Sequence, residues 1–192
     1  NMTVKWDGAP AIFAGIDPDD GKFFVAKKSV FNVNPKLYKS NEEIDEDLSG
    51  TLNSKFKVAL SELSKIGIKG VLQGDLMFTD DIETDTIDGV SYYTFQPNTI
   101  VYAVPTDSDL GKTMNRAKIG VVWHTTYEGN NLQDMKASFG ADIKGLKKTS
   151  SVWMDDATYK DTSGRSTFTD KETAAVTKYL SDTGRTFQRI NA

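Results

Sequence analysis

Four residues near the start of the chain, Lys5-Trp6-Asp7-Gly8, bring an amine, a carboxylate and a glycine into close sequence neighbourhood. A lysine becomes a nucleophile when desolvation or a nearby cation lowers its pKa, so that free amine exists near neutral pH. A glycine beside it lets a ligand approach the backbone. The aspartate can orient a ribose hydroxyl or the amine itself. A strand lysine more often runs its stem along the surface to solvent, so the reading of Lys5 depends on what the rest of the chain supplies.

Two later groups supply it. Residues 22–29 (KFFVAKKS) read as a strand ending in Lys27-Lys28-Ser29, which offers a second cation. Residues 70–78 (GVLQGDLMF) read as an apolar strand holding one carboxylate, in the pair Gly74-Asp75.

The ordered trio resembles the motifs of the covalent nucleotidyltransferase superfamily, which includes ATP-dependent DNA ligases, RNA ligases and mRNA capping enzymes. Lys5-x-Asp7-Gly8 is similar to that family's K-x-D-G signature. Lys27-Lys28-Ser29 stands where the family carries a basic residue on the strand returning from the first hairpin. Gly74-Asp75 stands where the family has glycine and glutamate, with aspartate one methylene shorter. The chain also resembles ligase-like proteins of tailed cyanophages. The resemblance implies an α+β, ATP-grasp-like nucleotidyltransferase domain in which Lys5 attacks the α-phosphate of ATP. Asp7, Gly8, Lys27, Lys28, Gly74 and Tyr102 would bind nucleotide, Asp75 would bind Mg²⁺, and the nucleotide would pass to a DNA or RNA end. GTP and a cap substrate stay open.

The family's later motifs are not matched. Its E-G-hydrophobic-hydrophobic-x-K string has residues 119–124 (IGVVWH) as nearest equivalent, which lacks the acidic residue and ends in histidine. Its lysine-rich fifth motif has only GLKKTS. These motifs are expected beyond residue 192 of a longer parent chain, or lost in a repurposed fold. The purine-stacking aromatic is Tyr102 by position, with Trp123 as the other choice; strand aromatics more often pack in a core. His124, the only histidine, reads as a polar strand-end residue. The string DPDDG lacks the closing glutamate of a calcium loop and reads as a hairpin turn. The acidic runs 42–47 and 80–88 read as solvated surface, and KGLKK as a solvated basic turn.

The elements that must position these groups are antiparallel strands with helices laid on them. Strands are expected over residues 3–6, 11–17, 22–29, 70–78, 90–95, 99–105 and 118–127, and in SVWMD. Residues 32–50 read as a loop or short helix. Phe56, Ala59, Leu60, Leu63 and Ile66 recur at helical spacing, with Gly67 as the stop. Short helices are expected over 108–117 and 132–139, and residues 147–164 read as polar and turn-rich. A closing helix has a Thr169–Glu172 capping box, one face of Ala175, Val176, Tyr179 and Leu180, and Gly184 after it. The organisation expected is one domain over 1–192, with a core sheet region to 128 and an appended helical and loop region over 129–192.

With 38% hydrophobic and 26% charged residues in 192, the chain can bury a core and does not read as disordered. Its net charge of −4 supplies no global basic field for nucleic acid, though a local groove could sit on an acidic surface. The absence of cysteine excludes disulfides and thiolate metal sites. No apolar run reaches membrane-spanning length, and a cytoplasmic setting is expected, in a host cell if the chain is phage-encoded. Two other functions are compatible: a binding module for nucleotide or nucleic acid without chemistry, and a phage structural or accessory protein.

Overall fold

The computed structural model describes residues 3–160 and 168–190; the segment 161–167, which includes the end of the expected turn-rich stretch, lies outside the described residues. The main sheet is built from β1 (Ala11–Ile16), β2 (Phe23–Ala26), β3 (Val71–Phe78), β7 (Ile119–Glu128), β8 (Lys136–Phe139) and β9 (Val152–Asp156). Its order is β2-β1-β3-β7-β8, with β9 also pairing to β7. β8 pairs with residues 125–128 of β7 and β9 with residues 119–123. Every pair is antiparallel except β7–β9. A second sheet joins β4 (Glu83–Ile87), β5 (Val90–Phe95) and β6 (Tyr102–Pro105), all antiparallel. The expected α+β class with antiparallel sheets and flanking helices is what the chain adopts.

One face of the main sheet is covered by helix. α1 (Asn41–Asp47) starts at a capping box in which Ser40 accepts from the Glu43 amide and Glu43 reaches back to the Ser40 amide. α2 (Gly50–Leu63) follows, and its buried Phe56, Ala59 and Leu63 pack with Ile12, Ala14, Leu72, Leu76, Val121 and Trp123. The alternation of strand side chains sends the neighbours of these residues to the opposite face. There they form two separate clusters. Phe13, Phe24, Val30, Val71 and Leu132 make one; Met77, Phe78, Phe95, Met114 and Val122 make the other. The second cluster joins the small sheet to the main one.

Several sequence expectations need correction. Residues 3–6 are not a strand; Thr3 makes only an isolated bridge to Thr158. β2 ends at Ala26, and residues Lys28–Phe31 turn into a 3-10 helix, so the basic pair leaves the strand. The acidic run 80–88 contains β4, whose side chains are exposed but whose backbone pairs with β5. Residues 132–139 are not a helix: a 3-10 turn Leu132–Asp134 precedes β8. β6 starts at Tyr102 rather than 99. The helix expected over 108–117 is α3 (Asp109–Met114), capped by the Ser108 hydroxyl.

The chain divides into two units, residues 1–158 and 159–192. The division falls at 158 rather than 128 because β8 and β9 hydrogen-bond to β7. The second unit contains α4 (Asp170–Ile190), which has the Thr169–Glu172 capping box and runs through Gly184 rather than stopping there. No residue of α4 is buried, and Tyr179, Leu180, Phe187 and Ile190 are exposed. No helix among the described residues is long and apolar enough to cross a membrane.

This division of burial predicts opposite responses to truncation. Phe56 is fully buried and meets Tyr38 edge-on at 5.6 Å, so Phe56→Ala should cost about 3–5 kcal/mol in urea unfolding. Leu180→Ala, at an exposed position, should change stability by no more than about 0.5 kcal/mol.

Candidate functional site

Residues 3–10 cross the end of the main sheet without forming a ladder. At one side the Val4 amide donates to the Ala157 carbonyl at 2.8 Å. At the other, the Ala9 amide donates to Leu76 O and the Leu76 amide to Pro10 O, both at 3.0 Å. Between these anchors Asp7 turns towards the β5–β6 loop. Its Oδ1 accepts from Asn98 Nδ2 at 2.9 Å, and its Oδ2 accepts from the Thr99 and Ile100 amides at 2.6 and 2.8 Å. The Asp7 amide donates to the Tyr102 hydroxyl at 2.9 Å. The Ile100 amide, the Asn98 side chain and the Thr99 amide together hold the Asp7 carboxyl below the usual carboxylate range.

Gly8 is glycine for a steric reason. A Cβ there would lie 2.3 Å from the Asp75 Cβ and 3.1 Å from the Leu76 carbonyl oxygen. Residues 3–10 therefore lie directly against β3 at Asp75 and Leu76. This contact creates a pocket of about 360 Å³ lined by Lys5, Asp7, Gly8, Asp75, Asn98, His124 and Phe139, with Thr3, Val4, Trp6 and Ala157 completing the wall. Lys5 is exposed and makes no hydrogen bond to the described residues; it acts on Asp7 and Asp75 through its charge. Asp75 is half-buried. Burial pushes its carboxyl above the usual value, His124 and Lys5 oppose the rise, and Asp7 adds to it.

His124 enters the pocket through an irregularity in β7. Gln73 pairs with Thr125 and Gly74 with Trp123, so His124 has no partner on β3 and forms a bulge. The bulge brings the histidine to the same pocket as Asp75, while its Nδ1 lies 2.8 Å from Thr125 Oγ1. Gly74 permits this register. A Cβ on it would meet Val122 O at 2.6 Å and the Trp123 ring at 2.8 Å.

Of the residues singled out in the sequence, Lys5, Asp7, Gly8 and Asp75 share the pocket, and Gly74 supports it from the helix-covered side. Lys27 and Lys28 do not line it. Lys27 Nζ donates to Asp47 at 3.3 Å and stands 6.0 Å over the Tyr38 ring. Asp47 also accepts from Lys36 and from the Tyr38 hydroxyl, which with Lys27 keep its carboxyl far below the usual range. Lys28 is exposed at the start of its 3-10 turn.

Neither expected aromatic is a pocket wall. Tyr102 stacks with Trp6 at 5.6 Å and with Phe95 at 5.3 Å, and Trp123 is fully buried on the helix side. The aromatics at the pocket are Trp6, which stacks on Tyr102, and Phe139, which is 99% exposed and lies on β8 opposite Thr125 of β7. Sequence reading missed His124, Asn98 and Phe139. A bulge, a loop contact from another sheet and an edge strand leave no local pattern to find them by.

Among the described residues no group of three or more His, Cys, Asp or Glu side chains could cage a metal ion. Asp75 alone faces the pocket with a carboxylate that accepts no hydrogen bond from the described residues. A single open carboxylate of this kind can meet a hydrated divalent cation only through water.

The chain belongs to a family of unknown function, DUF6267, whose model matches residues 1–192. No curated protein and no solved structure matches it.

The raised Asp75 pKa carries a sign. Below pH 3.8, its ordinary value, the carboxyl is protonated in both folded and unfolded chains and costs nothing. As pH rises through the folded value the unfolded chain ionises first, so stability falls. Asp75→Asn should therefore stabilise the protein relative to wild type at pH 7, with the difference shrinking at pH 3. Thermal unfolding at the two pH values checks this; an equal difference at both would contradict it.

Proposed function

We propose that this member of the family transfers a nucleotidyl group through Lys5. The observation carrying the reading is that Lys5 and Asp75, distant in sequence, line one pocket together with Asp7 and Gly8. The Lys5 Nζ lone pair attacks the α-phosphorus of ATP, and an N–P bond forms. The P–O bond to the β-phosphate breaks, pyrophosphate leaves with its electrons, and the amine proton passes to solvent. Phosphoryl-type transfer depends chiefly on positioning and charge stabilisation. Asp75 would carry Mg²⁺ through water, and the cation would neutralise charge on the triphosphate. Phe139 offers a free ring face for a nucleobase. The lysyl nucleotide would then pass to a 5′-phosphate end of DNA or RNA.

One observation favours a second reading. Lys5 is the only lysine among the pocket's lining residues, and Lys27 is committed to Asp47. A pocket without a second lysine suits nucleotide binding without chemistry. Equilibrium binding of ATP with no pyrophosphate release would select that reading.

Incubation with α-³²P ATP or GTP and Mg²⁺ should label the protein covalently, with a bond broken by acid and stable to alkali. Lys5→Ala and Lys5→Arg should both abolish the label. Absence of label with either nucleotide, in the full-length protein, would remove the enzymatic reading.

A further inference from the structure

We propose that Asp7 is a positioning residue, whose carboxylate latches the Lys5 segment onto the 98–100 loop instead of contacting nucleotide. The proposal rests on the reading of Lys5 as the nucleophile and goes beyond it by assigning the aspartate of the motif a different task. Residues 5–8 have no backbone ladder. Between the Ala157 and Leu76 anchors they are held by the bonds Asp7 makes and by the stack of Trp6 on Tyr102. Three donors reach the carboxylate, two of them backbone amides from consecutive residues. The Tyr102 hydroxyl takes the Asp7 amide, so both the side chain and the main chain of Asp7 face the small sheet.

A ribose ligand needs free lone pairs directed at the ligand. Oδ2 already receives two amides at 2.6 and 2.8 Å, and Oδ1 is bonded to Asn98. Asp75 presents the opposite case, with its carboxylate open to the pocket. The two carboxylates thus divide the work: Asp7 fixes where Lys5 stands, and Asp75 faces what Lys5 attacks. The small sheet gains a role from this division, because its β5–β6 loop sets the place of the reactive amine. The neutral Asp7→Asn side chain keeps the size but offers one acceptor oxygen where two were used.

Labelling rates measured against ATP concentration in the full protein test the latch. In Asp7→Asn the kcat should fall about 100-fold, the scale of a displacement of about 1 Å at a reacting group, while KM stays within about threefold. Asn98→Ala removes a single bond and should lose about tenfold or less in the same direction. A rise in KM with kcat maintained in Asp7→Asn is the signature of a lost nucleotide contact and overturns the proposal.

A second readout needs no nucleotide. Acetylation by acetic anhydride, followed by mass spectrometry, gives the rate at Lys5 relative to exposed Lys22. The ratio should change in Asp7→Asn and in Asn98→Ala; an unchanged ratio in both, with the fold intact by circular dichroism, overturns the latch. If wild-type protein takes no label, the nucleotidyl-transfer reading fails by itself and the acetylation ratio alone decides the latch.

Discussion

A single close approach organises the site: the backbone at Gly8 lies against the side chain of Asp75 in β3. A carbon at position 8 would sit 2.3 Å from the Asp75 Cβ, well inside any tolerable contact. Any larger residue there would have to lift the whole 3–10 segment off the sheet. That lift would break the Ala9–Leu76 and Leu76–Pro10 hydrogen bonds and carry Lys5 away from Asp75. The spacing Lys-x-Asp-Gly therefore has a geometric meaning here. Glycine makes the contact, aspartate one residue earlier turns outward to the 98–100 loop, and lysine two residues before that reaches the pocket.

The pocket exists because the main sheet treats its two faces differently. One face is sealed by α1 and α2 over a continuous apolar cluster. The other carries two smaller clusters, and between them the strands present Gln73, Asp75, His124 and Thr125. Tyr127 closes part of this polar strip by donating to Gln73 Oε1 at 2.8 Å. The bulge in β7 inserts His124 where a regular register would have continued the alternation. Burial of Asp75 in such a gap disfavours its charge, a cost that a structural carboxylate would ordinarily avoid by taking hydrogen bonds. Asp7, Asp47 and Asp81 follow that ordinary rule, each with donors that lower its pKa. Asp75 departs from it, and such departures concentrate at sites with chemistry to do.

The cations are distributed against expectation. Asp47 gathers Lys27, Lys36 and the Tyr38 hydroxyl into one cluster beneath α1. The lysines after β2 thus fasten a helix to the edge of the sheet. Lys5 faces two carboxylates and one imidazole instead. Lys5 brings positive charge to this pocket, and Asp7, kept ionised by its three donors, brings negative charge that helps raise the Asp75 carboxyl.

Sequence by itself determined the features that depend on local periodicity and local sterics. The apolar runs of β1, β3 and β7, the helical spacing of Phe56, Ala59 and Leu63, the capping box at Thr169 and the turn at DPDDG are all satisfied within a few residues of themselves. They were legible for that reason. The folded chain alone decided the rest. Lys27 points to Asp47 because the fold brings the end of α1 to it, a contact between residues 20 apart that no spacing rule encodes. Asp7 is bound by a loop more than 90 residues away. Residues 3–6 are not a strand because the Thr3–Thr158 bridge and the Val4–Ala157 hydrogen bond are not continued into a ladder. Tyr102 is committed to Trp6 and Phe95 because two sheets meet there, and His124 reaches the pocket because one extra residue was inserted opposite Gly74. Side-chain partners across sheets are chosen by packing of whole elements, and that choice is made in three dimensions.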